Sequence, residues 1–361
     1  ARATKSLMEL RPPQRIGLSQ GSGEPDLFNS PLAKRLEAEG TLVPVRLDGE
    51  TLEDEIDVLV LLGATKSYGE HARWVIDRLL CDGGSVIMAL DHRQQSELFT
   101  EVWSPRPTGV EPLLRRYGIS TFGQWVIADQ KHPAPAPLSR DARGQITFAS
   151  HPLYPLGIAQ EHPITAALSE VVIPMAPLFE LPPKAVPLVL SSIESTALRS
   201  LRSLSIEDAK EEKQTVSGFP LAFAIEFRPS ECLDRPSEHR SSEQQAEVNG
   251  RRFDQTQDVI SQPARLVVIG SGRRLLSADP KGLELLMNAI AWGRRDGSLL
   301  SLKKRRVQKP RLSLSAEEQR MIQWGSILLP IVLIVLITAS VKRPRRWRTI
   351  RHTKREANHD I

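Results

Sequence analysis

Residues 325–341 read GSILLPIVLIVLITASV, seventeen positions without a charge, and Lys342 opens a tail that holds eight Lys or Arg by Arg355. A stretch of this kind dictates how everything upstream is read. At about 1.5 Å per residue, a helix over 316–341 crosses a hydrocarbon core of roughly 30 Å. Trp324 and Trp347 then stand at the two interfaces. No polar stripe runs along 327–337, as a helix buried on only one face would require. Ser315 and Glu318 form an S-x-x-E capping box, which starts the helix near residue 316. Pro330 is tolerated in a membrane helix and predicts a mild kink. The small residues Gly325, Ser326, Ala339 and Ser340 near the two ends would let partner helices approach closely.

Charge is segregated around this span. A net charge of +5 and a pI near 9.3 would ordinarily point to nucleic acid. From residue 303 onward, however, 15 Lys or Arg face 4 Asp or Glu, whereas residues 1–302 carry 33 basic and 39 acidic side chains. Basic clusters flanking an apolar span are explained by topology and membrane lipid headgroups, so nucleic acid is excluded as a partner. Lys342, Arg343, Arg345, Arg346 and Arg348 abut the span directly; Glu317 and Glu318 separate it from the upstream basic run at 303–311. The 342–361 tail is therefore expected in the cytoplasm, with 303–315 a juxtamembrane linker and 1–302 an extracytoplasmic body. No apolar leader precedes Arg15, so an export signal is expected upstream of residue 1. Cys81 and Cys232 are too few for a disulfide framework, and one possible bridge leaves the compartment open.

The body alternates short apolar runs with amphipathic stretches, which predicts an α/β fold. Strands are expected at 15–19, 42–47, 58–62, 85–90, 188–191, 221–227 and 265–270, and helices at 32–39, 71–81, 111–118 and 282–292. The run VLVLL at 58–62 has no polar position, as expected of a parallel strand buried on both faces. Prolines 133, 135, 137, 152, 155 and 163 imply extended connections rather than regular elements. Residues 228–262 are rich in Ser, Glu, Gln and Arg, with too little apolar surface to offset ordering, and are read as a mobile loop.

Several blocks, in order, resemble the gliding-motility-associated auxiliary component of ABC-type transport systems, the GldG-like proteins. They are the first strand running into Gln20-Gly21-Ser22-Gly23-Glu24, the run 57–63, and the helix, double glycine and strand at 76–91. Tyr117-Gly118-Ile119, His162-Pro163-Ile164-Thr165, RLVVIG at 265–270 and the C-terminal arrangement continue the series. The resemblance implies a flavodoxin-like parallel sheet, similar to class I glutamine amidotransferase domains. It also implies a bacterial inner membrane crossed once, and partner subunits in the form of an ABC permease and an ATPase. The residues before Gly21 hold no counterpart of that family's N-terminal membrane helix and first domain. Ser22 replaces a common histidine, and Gly270-Ser271-Gly272-Arg273 replaces a more acidic turn.

An amidotransferase needs a cysteine on a tight strand-to-helix elbow with a histidine base. Cys81 precedes Asp82-Gly83-Gly84 at a helix end, and Cys232 lies in the polar loop. Ser271 between two glycines is the nearest approach to a nucleophile. Gly21-Ser22-Gly23 offers backbone donors, but Glu24 and Asp26 would repel a phosphate, and Asp26 stands where a dinucleotide fingerprint needs glycine. His92, His132, His151 and His162 lack metal-ligand spacing, and no G-x-x-x-x-G-K-[ST] motif occurs. No catalytic, cofactor or metal residues are therefore assigned. Gly21, Ser22, Gly23 and Glu24 are the candidate partner or ligand loop, and Trp324, Gly325, Pro330, Ser340, Lys342, Arg343, Arg345 and Arg346 mark the anchor. The expectation is a non-catalytic membrane-anchored accessory subunit working with a separate permease and ATPase. The alternatives are a scaffold unconnected to transport, or an extracytoplasmic small-ligand-binding protein or hydrolase that uses the crevice at the C-terminal strand ends.

Overall fold

The all-apolar runs become the middle of a sheet because both of their faces are covered. In the computed structural model, β3 (Val58–Leu62) and β4 (Ser85–Ala89) are buried at every position. The structure describes residues 14–38, 40–48, 56–95, 103–140, 146–199, 211–214, 217–228 and 262–295. All of them belong to one unit, Ala1–Arg306. The expected membrane helix at 316–341, the linker at 303–315, the tail and nearly all of the polar loop lie outside the described residues. Among the described residues no helix is long and apolar enough to cross a membrane.

β3 and β4 pair in parallel, flanked by β1 (Arg15–Gln20) and β2 (Thr41–Arg46) on one side and β16 (Ala264–Ile269) on the other. The parallel order is β2-β1-β3-β4-β16. The winding reverses between β1 and β3, so successive crossovers cover opposite faces. On one face α1 (Pro31–Glu37) and α5 (Pro280–Gly293) bring Leu32, Leu36, Leu286 and Ile290 against Ile16, Leu18, Val58 and Val60. On the other, α2 (Glu70–Cys81) and α3 (Glu111–Arg116) set Ile76, Leu80 and Leu114 against Leu59, Leu61 and Met88. Burying each such side chain contributes about 1.5–3 kcal/mol. The caps follow the sequence: Ser30 Oγ accepts from Ala33 N at 3.3 Å, and Asp279 Oδ1 accepts from Lys281 N at 3.0 Å.

The sheet is mixed, which corrects the expectation of a wholly parallel one. Beyond β16 lie β15 (Pro220–Phe227), β12 (Val186–Leu190), β9 (Ile146–Ala159) and β10 (Glu170–Val172), each antiparallel to its neighbour. β8 (Pro133–Arg140) pairs with β9 as an antiparallel ribbon. A second, antiparallel sheet has the order β11-β7-β13-β14, formed by Pro177–Glu180, Ser120–Ala128, Thr196–Arg199 and Glu211–Gln214. A short hairpin, β5 (Arg93–Gln95) with β6 (Trp103–Pro105), completes the strands. A third core containing Trp103, Val126, Ala128, Ala136, Leu153 and Leu198 links the second sheet to the ribbon.

The proline-rich segment expected to be an irregular connection is therefore a strand. Pro133, Pro135 and Pro137 recur every second residue, so their missing N–H groups share one edge. A strand with a partner on one side only tolerates this, and Ala134 and Ala136 are buried in the core.

Candidate functional site

The C-terminal ends of the parallel strands gather four loops: Gly21–Glu24 after β1, Gly63–Tyr68 after β3, Asp91–His92 after β4 and Gly270–Arg273 after β16. In doubly wound sheets the crevice where strand order reverses is the usual ligand position. Here it lies between β1 and β3, beside the glycine loop singled out by sequence.

That loop is held by side chains of this chain. Gly23 has φ +74°, a conformation open to glycine, and its carbonyl accepts from Thr65 Oγ1 at 3.2 Å and from the Arg273 guanidinium. The Ser22 carbonyl accepts from Thr65 N at 3.0 Å and Lys66 N at 2.8 Å. Glu24 folds back, with Oε2 accepting from Ser22 N at 2.8 Å and Oε1 accepting from the Tyr68 hydroxyl at 3.0 Å. Ser19 Oγ lies 3.3 Å from the same hydroxyl. Burial, reinforced by the Glu24 carboxylate, pushes the Tyr68 phenol far above its ordinary value, so it stays a donor.

Arg273, the first residue of α4 (Arg273–Ala278), spans the crevice and donates through Nε to the Gly63 carbonyl at 2.8 Å. Asp91 fixes the turn beneath it: Oδ1 accepts from Gly272 N and Oδ2 from Arg273 N, both at 2.9 Å. Arg106 Nη2 donates to the Ala64 carbonyl and, at 2.8 Å, to the Asp91 carbonyl, which bridges the ends of β3 and β4.

Behind Asp91 sits His92, an imidazole with 2% exposure. Its Nδ1 is 3.9 Å from Glu111 Oε1, and its ring meets Phe179 edge-on with centroids 6.2 Å apart. Burial lowers its pKa to about 4, against the pull of the Glu111 and Asp91 carboxylates. Burial also raises Glu111, but hydrogen bonds from Thr108 N at 2.7 Å and Thr108 Oγ1 at 2.9 Å outweigh it, and its carboxyl titrates below the usual range.

The remaining residues weighed from sequence do not join this site. Ser271 is on a strand-to-helix turn, as expected, but is 1% exposed, and its hydroxyl has no hydrogen-bond partner among the described residues. Its φ is not positive: among the described residues only Met175 and Arg295 are non-glycine residues with positive φ. Cys81 ends α2 and is disulfide-bonded, so no thiol is available there. His162 caps the turn Pro163–Thr165, accepting from Ile164 N at 3.2 Å, and packs on Trp292. Trp324, Gly325, Pro330, Ser340, Lys342, Arg343, Arg345 and Arg346 lie outside the described residues. Tyr68, Arg106 and Arg273 leave no local spacing to read in the sequence, because their partners are distant in it: Tyr68 reaches Glu24 across 44 positions, Arg106 reaches Ala64 across 42 and Asp91 across 15, and Arg273 reaches Gly63 across 210.

Residues 13–277 match the ABC-transport auxiliary family, described as an ABC-type uncharacterized transport system. The chain belongs to that family. The crevice residues from Gly21 to Arg273 fall within the matched range. No curated protein is significantly similar to the chain. Among solved structures, the mmIFT52 N-terminal domain is similar at 13% identity and a TM-score of 0.44, over 78% of this chain and 97% of that one. A Thermoplasma acidophilum protein described as a component of GMP synthase is similar at 10% identity and a TM-score of 0.41, over 81% and 99% of the two chains. A ThuA-like protein from Parabacteroides merdae is similar at 11% identity and a TM-score of 0.33, over 79% and 91%.

Proposed function

We propose that the chain is a non-catalytic accessory subunit of an ABC-type transport system. In this reading a flavodoxin-like, amidotransferase-like domain stands on the extracytoplasmic side of a bacterial inner membrane, and a helix over 316–341 tethers it to a separate permease and ATPase. Family membership supports the link to transport. The observation that carries the non-catalytic part is the closure of the β1/β3 crevice by Arg273, Thr65 and Tyr68. Groups that would face a substrate in an open crevice are bonded to one another. The engaged sulfur of Cys81 agrees with an oxidising compartment. The gliding-motility assignment rests on the resemblance of the sequence blocks.

Affinity purification of the tagged full chain from native membranes tests this reading. A permease and an ATPase are expected in the eluate at a fixed ratio to the chain. Recovery of the chain alone, together with turnover of a small substrate, would favour the rival reading of a ligand-binding protein or hydrolase. One observation favours that rival: several buried polar groups around Asp91 have no hydrogen-bond partner among the described residues.

A further inference from the structure

We propose that the polar groups surrounding Asp91 form a binding site for a small oxyanion, a carboxylate or a phosphate. Among the described residues, both ring nitrogens of His92, Nε and Nη1 of Arg106 and the hydroxyl of Ser271 are buried without a hydrogen-bond partner. Trp103 Nε1 and Thr121 Oγ1 are in the same condition nearby. These residues come from distant parts of the chain yet meet around one aspartate. His92 follows it in sequence, and the Arg106 guanidinium donates to its carbonyl at 2.8 Å. Ser271 precedes Gly272, whose N–H bonds its carboxylate at 2.9 Å. The Arg106 backbone N–H donates to the His92 carbonyl at 2.8 Å. Thr121 shares a strand face with Gly123, where an added Cβ would sit 3.4 Å from His92 Nδ1.

The chemistry of the unpartnered groups selects the ligand. A buried polar atom left unsatisfied costs about 1–3 kcal/mol, more when charged, so a concentration of them in one place calls for a partner. The guanidinium and the indole can only donate, each hydroxyl can donate, and a neutral imidazole donates through one nitrogen. The carboxylates within reach are already engaged. Asp91 accepts from Gly272 and Arg273, and Glu111 accepts from Thr108 and, at 2.8 Å, from Gly109 N. Arg274 adds another cation, with Nη1 3.9 Å from Asp91 Oδ1 and its guanidinium 3.9 Å from the Trp103 ring centroid. Donors and positive charge exceed acceptors, and an oxyanion supplies what the chain does not. The site lies beside the closed β1/β3 crevice and needs no transporter partner, so its failure and that of the transport reading are separable.

The test uses the purified full chain in detergent, titrated with inorganic phosphate and with acetate, each against sodium chloride at equal ionic strength. Binding is followed by calorimetry and by the unfolding midpoint. At least one anion is expected to bind saturably and raise the midpoint; phosphate alone assigns a phosphoryl ligand, acetate alone a carboxylate. Ser271→Ala should raise the anion-free midpoint, because it removes an unsatisfied buried hydroxyl, and should weaken binding at least threefold, and Arg106→Lys should weaken it at least tenfold. If Arg106→Lys fails to fold, His92→Phe takes its place with the same expectation. The proposal is overturned if neither anion outperforms chloride, or if the folded variants bind like the unaltered chain.

Discussion

Arg273 donates through Nε to the carbonyl of Gly63 at 2.8 Å across 210 positions of sequence, which joins the turn after β16 to the turn after β3. Gly63 has φ +61°, and a Cβ placed on it would lie 2.8 Å from the Arg273 backbone nitrogen and 2.5 Å from its side chain. The contact therefore requires glycine twice over, once for the backbone angle and once for space. Gly63→Ala is expected to destabilise the body by about 2 kcal/mol or more, from the left-handed conformation and the displaced backbone together. Urea unfolding of the two proteins measures it; a change under about 0.5 kcal/mol would show that the approach is not tight.

Arg273→Ala removes the guanidinium that engages both Gly63 and Gly23. Hydrogen bonds from a charged donor contribute about 1.5–3 kcal/mol. The expected outcome is a loss of that order together with faster amide exchange at residues 22–24, while Arg273→Lys recovers only part of the stability. Unchanged exchange in the loop would mean that Thr65 and Tyr68 hold it without the arginine.

The parallel half of this fold is legible in sequence, because strands buried on both faces become unbroken apolar runs such as VLVLL at 58–62. The antiparallel half is not. β8 carries proline at alternate positions and reads as a linker, yet as an edge strand it needs donors on only one side. β13 and β14 are four residues each and too short to show a period. At the site, the glycine pair at 21 and 23 announces a turn, whereas Tyr68 and Arg106 are single polar residues in loops and Arg273 a single polar residue at the start of a short helix. Only folding brings them to Glu24, Asp91 and Gly63.

His92 makes the body acid-sensitive in a defined window. Its folded pKa, near 4, lies below the ordinary 6.5, so the unfolded chain binds the extra proton first. Its contribution is complete above pH 6.5 and is lost as pH falls toward 4, on the order of 3 kcal/mol at most. Tyr68 acts at the other extreme: its raised pKa leaves its contribution intact below pH 10 and lost as pH climbs beyond. Urea unfolding between pH 7 and 4.5 should show stability falling with acid, and His92→Leu should flatten that slope. An equal slope in the variant would assign the acid sensitivity to the carboxylates instead.

Cys81 is disulfide-bonded, and Cys232 is the chain's other cysteine. Peptide mapping without reductant should recover the two linked, and reduction should cost about 2–4 kcal/mol of stability. Free thiols at both positions in protein taken from intact cells would place the body in a reducing compartment.

Purification of the tagged full chain from native membranes, followed by identification of what is bound to it, tests the account most directly. A multi-span permease and an ATPase should elute in fixed proportion to the chain, and the Arg273→Ala and Ser271→Ala variants should still insert in the membrane. A chain that elutes alone and turns over a substrate, with Ser271→Ala abolishing that turnover, would contradict the accessory role.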